Sequence, residues 1–116
     1  MDINITEIEG TVIAKIIAES VVIRTGDDAV NLIGNCAYQG AEKIMVHEKQ
    51  LSPLFFDLKT GLAGEVLQKF STYRMALTIT GDFSKYTSQA LKDFIYESNK
   101  GHSINFVQSS DETAQH

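Results

Sequence analysis

Along the first seventeen residues apolar side chains recur at close to every second position. Ile3, Ile5 and Ile8 predict a strand, Glu9-Gly10-Thr11 a turn, and residues 12–17 (VIAKII) a second, more buried strand of a hairpin. Residues 21–24 (VVIR) predict a short third strand or its remnant. Then the period changes. Thr25-Gly26-Asp27-Asp28 can cap and charge a helix start, and Ala29, Ile33, Cys36, Ala37 and Gly40 recur at helical spacing, with Gly40 as the stop. Residues 43–48 (KIMVHE) are apolar through their middle, as in a parallel strand buried on both faces.

Ser52-Pro53 has the form of an N-cap followed by proline at the first helical position, and Asp57 offers a second cap. The helix begins at either point, or a short turn precedes it. Leu58, Leu62, Val66 and Phe70, with Ala63 and Leu67 beside them, form one apolar stripe. Residues 75–81 (MALTITG) predict a strand and 81–88 a polar loop. Thr87 or Ser88 then caps a helix whose face carries Ala90, Leu91, Phe94, Ile95 and Ser98, with Gly101 beyond its end. Residues 103–107 predict the last strand, 109–112 look like the opening of a helix, and the tail from about 110 is expected to fray. The order is β-β-(β)-α-β-α-β-α-β. It predicts one α/β domain over residues 1–116, with a single mixed sheet (hairpin plus parallel strands), three to four helices and right-handed crossovers.

Composition narrows the function. A length of 116 residues suits one core without staples, and the net charge of −5 with few arginines argues against nucleic acid and anionic membrane surfaces. Arg24 and Arg74 are the two arginines. No apolar run reaches membrane-spanning length and the first residues lack a signal-like n-region, so a cytoplasmic location is expected. The single cysteine, Cys36, falls on the apolar face of its helix and reads as a small core residue. His47, His102 and His116 show no metal-ligand spacing, and neither a metal nor a cofactor is expected.

The unusual feature is FFDLKTGLAGEVLQKF, residues 55–70, which sets Gly61 and Gly64 at a predicted helix start. Each glycine costs a helix about 1 kcal/mol relative to alanine. Either the pair lets the helix pack tightly on the sheet, or flat backbone there admits a partner or an anion. The run from the strand at Lys43 through this segment and MALTITGD resembles the STAS domains of anti-sigma factor antagonists and sulfate transporters. In those domains a strand leads to an Asp-Ser-Ser-Gly-Leu-like segment that opens a helix. Here Leu58-Lys59-Thr60-Gly61-Leu62 takes that place, followed by Ala63-Gly64. As a whole the chain also resembles a bacterial family of small proteins of unknown function.

The resemblance implies a non-enzymatic module for protein interaction or regulation. In the antagonists a kinase phosphorylates the first serine of the segment; Lys59 stands there, and Leu58 stands at the preceding aspartate unless the register slips to Asp57. Thr60, aligned with the second serine, is the candidate phospho-acceptor. The expected partner surface, for another protein or for self-association, comprises Asp57, Lys59, Thr60, Gly61, Gly64 and Phe83. Of Phe55 and Phe56, one is expected in the core and one at the surface. The alternative is a small-ligand sensor or small α/β enzyme. It would use His47, Glu48 and Asp82, which fall beyond the carboxyl ends of parallel strands, where open sheets bind ligands.

Overall fold

The hairpin is the antiparallel part of the sheet. Strands β1 (Asp2–Ile8) and β2 (Thr11–Ile17) pair with Ile5 opposite Ala14, joined by Glu9 and Gly10 at φ 52° and 85°. In this computed structural model, which describes residues 1–109, the chain then alternates helix and strand. The expected fraying from about residue 110, and all but Ser109 of the 109–112 helix opening, lie outside the described residues. Helix α1 (Gly26–Tyr38) leads to β3 (Lys43–His47), α2 (Leu62–Thr72) to β4 (Ala76–Gly81), and α3 (Gln89–Asn99) to β5 (Ile104–Gln108). The five strands lie in sequence order, β1-β2-β3-β4-β5, with every pair after the hairpin parallel. This is the mixed α/β sheet that the hydrophobic pattern predicts.

Helix ends are set by local chemistry. The Thr25 hydroxyl accepts from Asp28 N at 3.1 Å, and the chain leaves α1 through Gly40 at φ 90°, a conformation glycine adopts without Cβ strain. Ser88 caps α3 by accepting from Leu91 N at 3.3 Å. Of the face expected there, Leu91 is buried, Phe94, Ile95 and Ser98 are half-buried and Ala90 is exposed.

Because each crossover moves one strand further in the same direction with the same hand, all three helices lie on one face. Helix α1 packs on α2, and Phe94 of α3 meets Phe106 of β5 edge-to-face with centroids 6.2 Å apart. Ile44, Val46, Leu77 and Ile79 point toward the helices and are fully buried. Their neighbours Lys43, Met45 and His47 alternate to the other face and are half-buried. The expectation that residues 43–48 are buried on both faces is therefore corrected. Their apolar run arises because Met45 lies on the second face, between Lys15 and Thr78.

The third strand survives only as an isolated parallel bridge between Ile23 and Leu51. Val22 N and Ile23 N both donate to Gln50 O, which ties the segment down but leaves too little length for a ladder. Both candidate caps before α2 are used, but each for a short 3-10 turn. Ser52 caps Pro53–Phe56 and Asp57 caps Leu58–Thr60, so α2 starts at Leu62. Its stripe buries Leu62, Ala63, Val66 and Phe70; the Phe70 ring alone contributes about 1.5–3 kcal/mol by leaving water. Cys36 is fully buried, and burial pushes its thiol pKa up, as a core cysteine requires. No helix among the described residues is long and apolar enough to cross a membrane.

One long-range contact locks the two packed helices. Glu65 of α2 accepts Gly26 N at 2.9 Å, giving the start of α1 an anionic partner beside its neutral Thr25 cap. A Cβ on Gly26 would lie 2.9 Å from Glu65 Cδ, so the position must be glycine for the carboxylate to reach the backbone. Gly26→Ala is expected to cost about 1 kcal/mol by breaking this hydrogen bond. In urea unfolding, the loss should largely disappear in a Glu65→Ala background. Additive losses would show that the contact is not what Gly26 provides.

Candidate functional site

The segment before α2 is a chain of small caps. Ser52 Oγ accepts from Leu54 N at 3.2 Å, and Asp57 Oδ1 accepts from Lys59 N at 3.3 Å. Gly61 lies at φ 79° and, lacking a side chain, cannot cap α2; the Thr60 hydroxyl replaces it, accepting from Leu62 N at 3.2 Å. The same hydroxyl shares its one proton between Leu54 O and Asp57 O, each at 2.8 Å. Asp57, Lys59, Thr60, Gly61 and Gly64 are all exposed and run together along this entrance. A Cβ on Gly64 would meet nothing within 4 Å, so tight packing is not the reason for that glycine. Gly61 is needed for its left-handed backbone.

The aromatic residues behave differently from expectation. Phe55 and Phe56 are both buried, at 1% and 8% exposure, so the expected division of one in the core and one at the surface is corrected. The tight Pro53–Phe56 turn folds both rings inward. Phe56 stacks on Tyr86 with centroids 4.9 Å apart, and Phe55 meets Phe56 edge-on at 5.0 Å. Phe83 is half-buried, packed on Phe106 at 5.5 Å and beside Phe56 at 6.3 Å. The apolar side chain presented at this entrance is instead Leu54, 56% exposed.

At the carboxyl ends of the strands, His47, Glu48 and Asp82 take separate partners. His47 is a cap: its Nδ1 accepts from Lys49 N at 3.1 Å, and Gln50 Oε1 accepts from His47 N at 3.0 Å. That ring faces the second side of the sheet, in a cavity of about 400 Å³ shared with Lys15, Met45 and Thr80. Asp82 closes a turn, accepting from Ser84 N at 3.1 Å and from Gln108 Nε2 at 2.9 Å. The Ser84 hydroxyl, then the Gln108 amide, hold its carboxyl below the usual range. Glu48 is buried on the helix side, paired with Lys85 and set against Gly81. Burial first, and the Glu48 charge second, push the Tyr86 phenol up, and the same carboxylate raises the Lys85 ammonium. The sequence places Gly81 and Lys85 in the predicted 81–88 loop, but their meeting with Glu48 has no sequence signal, since only three-dimensional proximity brings the three together. Among the described residues no cluster of His, Cys, Asp or Glu could hold a metal ion.

Asp28 also titrates low, chiefly because Arg24 N donates to it at 2.9 Å. Since Asp28 and Asp82 have lower pKa values folded than unfolded, the unfolded state binds more protons in acid. Their contribution is present above about pH 4 and is lost as pH falls through the folded values. Urea midpoints measured from pH 7 to pH 3 should decline, and Asp28→Asn with Asp82→Asn should flatten the decline. An unchanged slope in the double variant would rule these two carboxylates out as its source.

No curated protein matches the chain, and no solved structure does, so the STAS resemblance of residues 58–64 has no counterpart in either comparison. A family model described as a domain of unknown function, DUF4180, matches residues 8–116. That match over nearly the whole length makes the assignment: the chain belongs to the DUF4180 family.

Proposed function

We propose that the chain is a non-enzymatic, STAS-like regulatory module that binds a protein partner, or a second copy of itself, through the α2 entrance. The observation that carries this reading is the grouping at the α2 entrance: Gly64, a helical glycine as open as Gly34 of α1, stands here with exposed Asp57, Lys59, Thr60 and Gly61 along one helix start. A glycine kept there at a cost to the helix is accounted for by something that approaches from outside. Asp57, Lys59 and the Thr60 backbone supply polar contacts around it, and Leu54 an apolar one. The strand, the short turn at Leu58–Thr60 and the following helix agree with the layout that the resemblance implies.

Phosphorylation at Thr60 fits as a control. A phosphate there would replace the hydroxyl's bonds to Leu54 O, Asp57 O and Leu62 N, and would put negative charge at the start of α2.

The test is capture from the native host. Gly64→Arg should abolish partner recovery by the tagged chain, while its melting temperature stays the same or rises, since a Cβ there meets no atom within 4 Å and arginine favours a helix more than glycine does. Undiminished capture would remove the entrance from the interface. A melting temperature lowered by several degrees would show that Gly64 serves packing after all.

A further inference from the structure

Glu48 is the one buried acidic side chain among the described residues. One carboxylate oxygen, Oε1, is taken by Lys85. The other, Oε2, lies against Gly81 and accepts no hydrogen bond within ordinary distance among the described residues, although the Tyr86 phenol is close enough for the carboxylate to raise it. A buried carboxylate with an unspent acceptor carries a desolvation cost that its single ion pair leaves unmet. The fold nevertheless makes room for it. A Cβ on Gly81, the last residue of β4, would lie 2.5 Å from Glu48 Cγ and 2.8 Å from Cδ, so glycine at this strand end is what lets the carboxylate occupy its place.

A cavity of about 330 Å³ adjoins this group at the carboxyl ends of β3 and β4. Open parallel sheets bind ligands beyond these strand ends, chiefly where the strand order reverses; this sheet has no such reversal, so the lining itself carries the assignment. Its size lies at the lower end of the roughly 300–1,000 Å³ typical of ligand sites, which suits a metabolite of few heavy atoms. Val21, Leu51, Pro53 and Phe56 make an apolar wall, Tyr86 adds its ring and a phenol that feels the Glu48 carboxylate, and Lys49 and Lys85 bring two ammonium groups. With Glu48 counted as −1 and the lysines as +1 each, the lining sums to +1. A simple amine would satisfy Oε2 but meet repulsion from both lysines. A simple carboxylate would suit the lysines and leave Oε2 unpaired. A ligand carrying both groups on an apolar body meets every wall.

The geometry points to a binding site for a free α-amino acid with an aliphatic side chain, its ammonium on Glu48 and its carboxylate between Lys49 and Lys85. The Lys85 side chain is about half exposed, at 48%, so it can turn toward the mouth while remaining beside Glu48. The aliphatic group lies against Phe56 and Leu51. This site is independent of partner docking at the α2 entrance, and its test reads ligand binding alone.

The experiment is amide chemical-shift mapping on the isotope-labelled full chain. L-valine, L-leucine and L-methionine are added singly to about 10 mM, above the micromolar-to-millimolar range of metabolite affinities. At least one is expected to shift the amides of Glu48, Lys49, Gly81, Lys85 and Tyr86. For the amino acid that binds, the analogue lacking its carboxylate (3-methylbutylamine for leucine) and the analogue lacking its amine (4-methylpentanoate) should each bind at least tenfold more weakly. Glu48→Gln, which keeps the shape and removes the charge, should lose at least tenfold in affinity. If that variant fails to fold, the comparison of analogues on the unaltered chain decides. No response to any of the three, shifts confined to another part of the chain, or either analogue binding as well as its parent would overturn the proposal.

Discussion

Each new strand is laid beside the last, in the same direction, and this constraint organises the molecule. With crossovers of one hand, sequential order sends every helix to the same side of the sheet. The carboxyl ends of β3, β4 and β5 therefore line up at one end, beside the loops that lead into α2 and α3. Both places where the chain presents unusual chemistry lie at that end: the capped turns before α2, and the buried carboxylate of Glu48. The Glu48 site depends on β3 and β4 ending next to each other, with His47 opposite Thr80, while the turns before α2 are held by bonds spanning no more than six residues.

Two glycines illustrate how closely the elements are fitted, and a third shows where they are not. Gly26 and Gly81 each leave room for a carboxylate from a distant part of the chain, Glu65 and Glu48 respectively. In both cases the missing methyl is occupied by an acidic side chain, so the glycine serves an electrostatic contact. Gly64 faces open space. Gly34 of α1 is equally open, so the interaction reading depends on Gly64 standing together with exposed Asp57, Lys59, Thr60 and Gly61.

Much of the fold was legible because its signals are local. Thr25, Ser88 and Gly40 act through their own backbone and neighbours within four residues, so their caps and stop could be read from spacing. The hairpin followed from alternation and a turn. What escaped was whatever depends on contacts across the chain. Residues 21–24 have the composition of a strand, but the ladder they would join offers only Leu51. Met45 reads as doubly buried until the helices are seen to share one face. Phe55 and Phe56 are adjacent, which in a strand would put them on opposite sides; the 3-10 turn and the stack on Tyr86 bury both. At the candidate site, the exposure of Asp57, Lys59, Thr60, Gly61 and Gly64 agrees with an accessible helix start, whereas the meeting of Glu48, Gly81 and Lys85 joins residues up to 37 positions apart and has no signature in sequence.

The central claim is that the α2 entrance is the face this protein offers to a partner. Hydrogen exchange, measured on the free chain and again on the complex recovered from the host, addresses it without altering a residue. The account predicts slowed exchange across residues 57–64, with little change in β1 and β2. Protection confined to the hairpin or to the uncovered face of the sheet, with 57–64 exchanging as before, would contradict it.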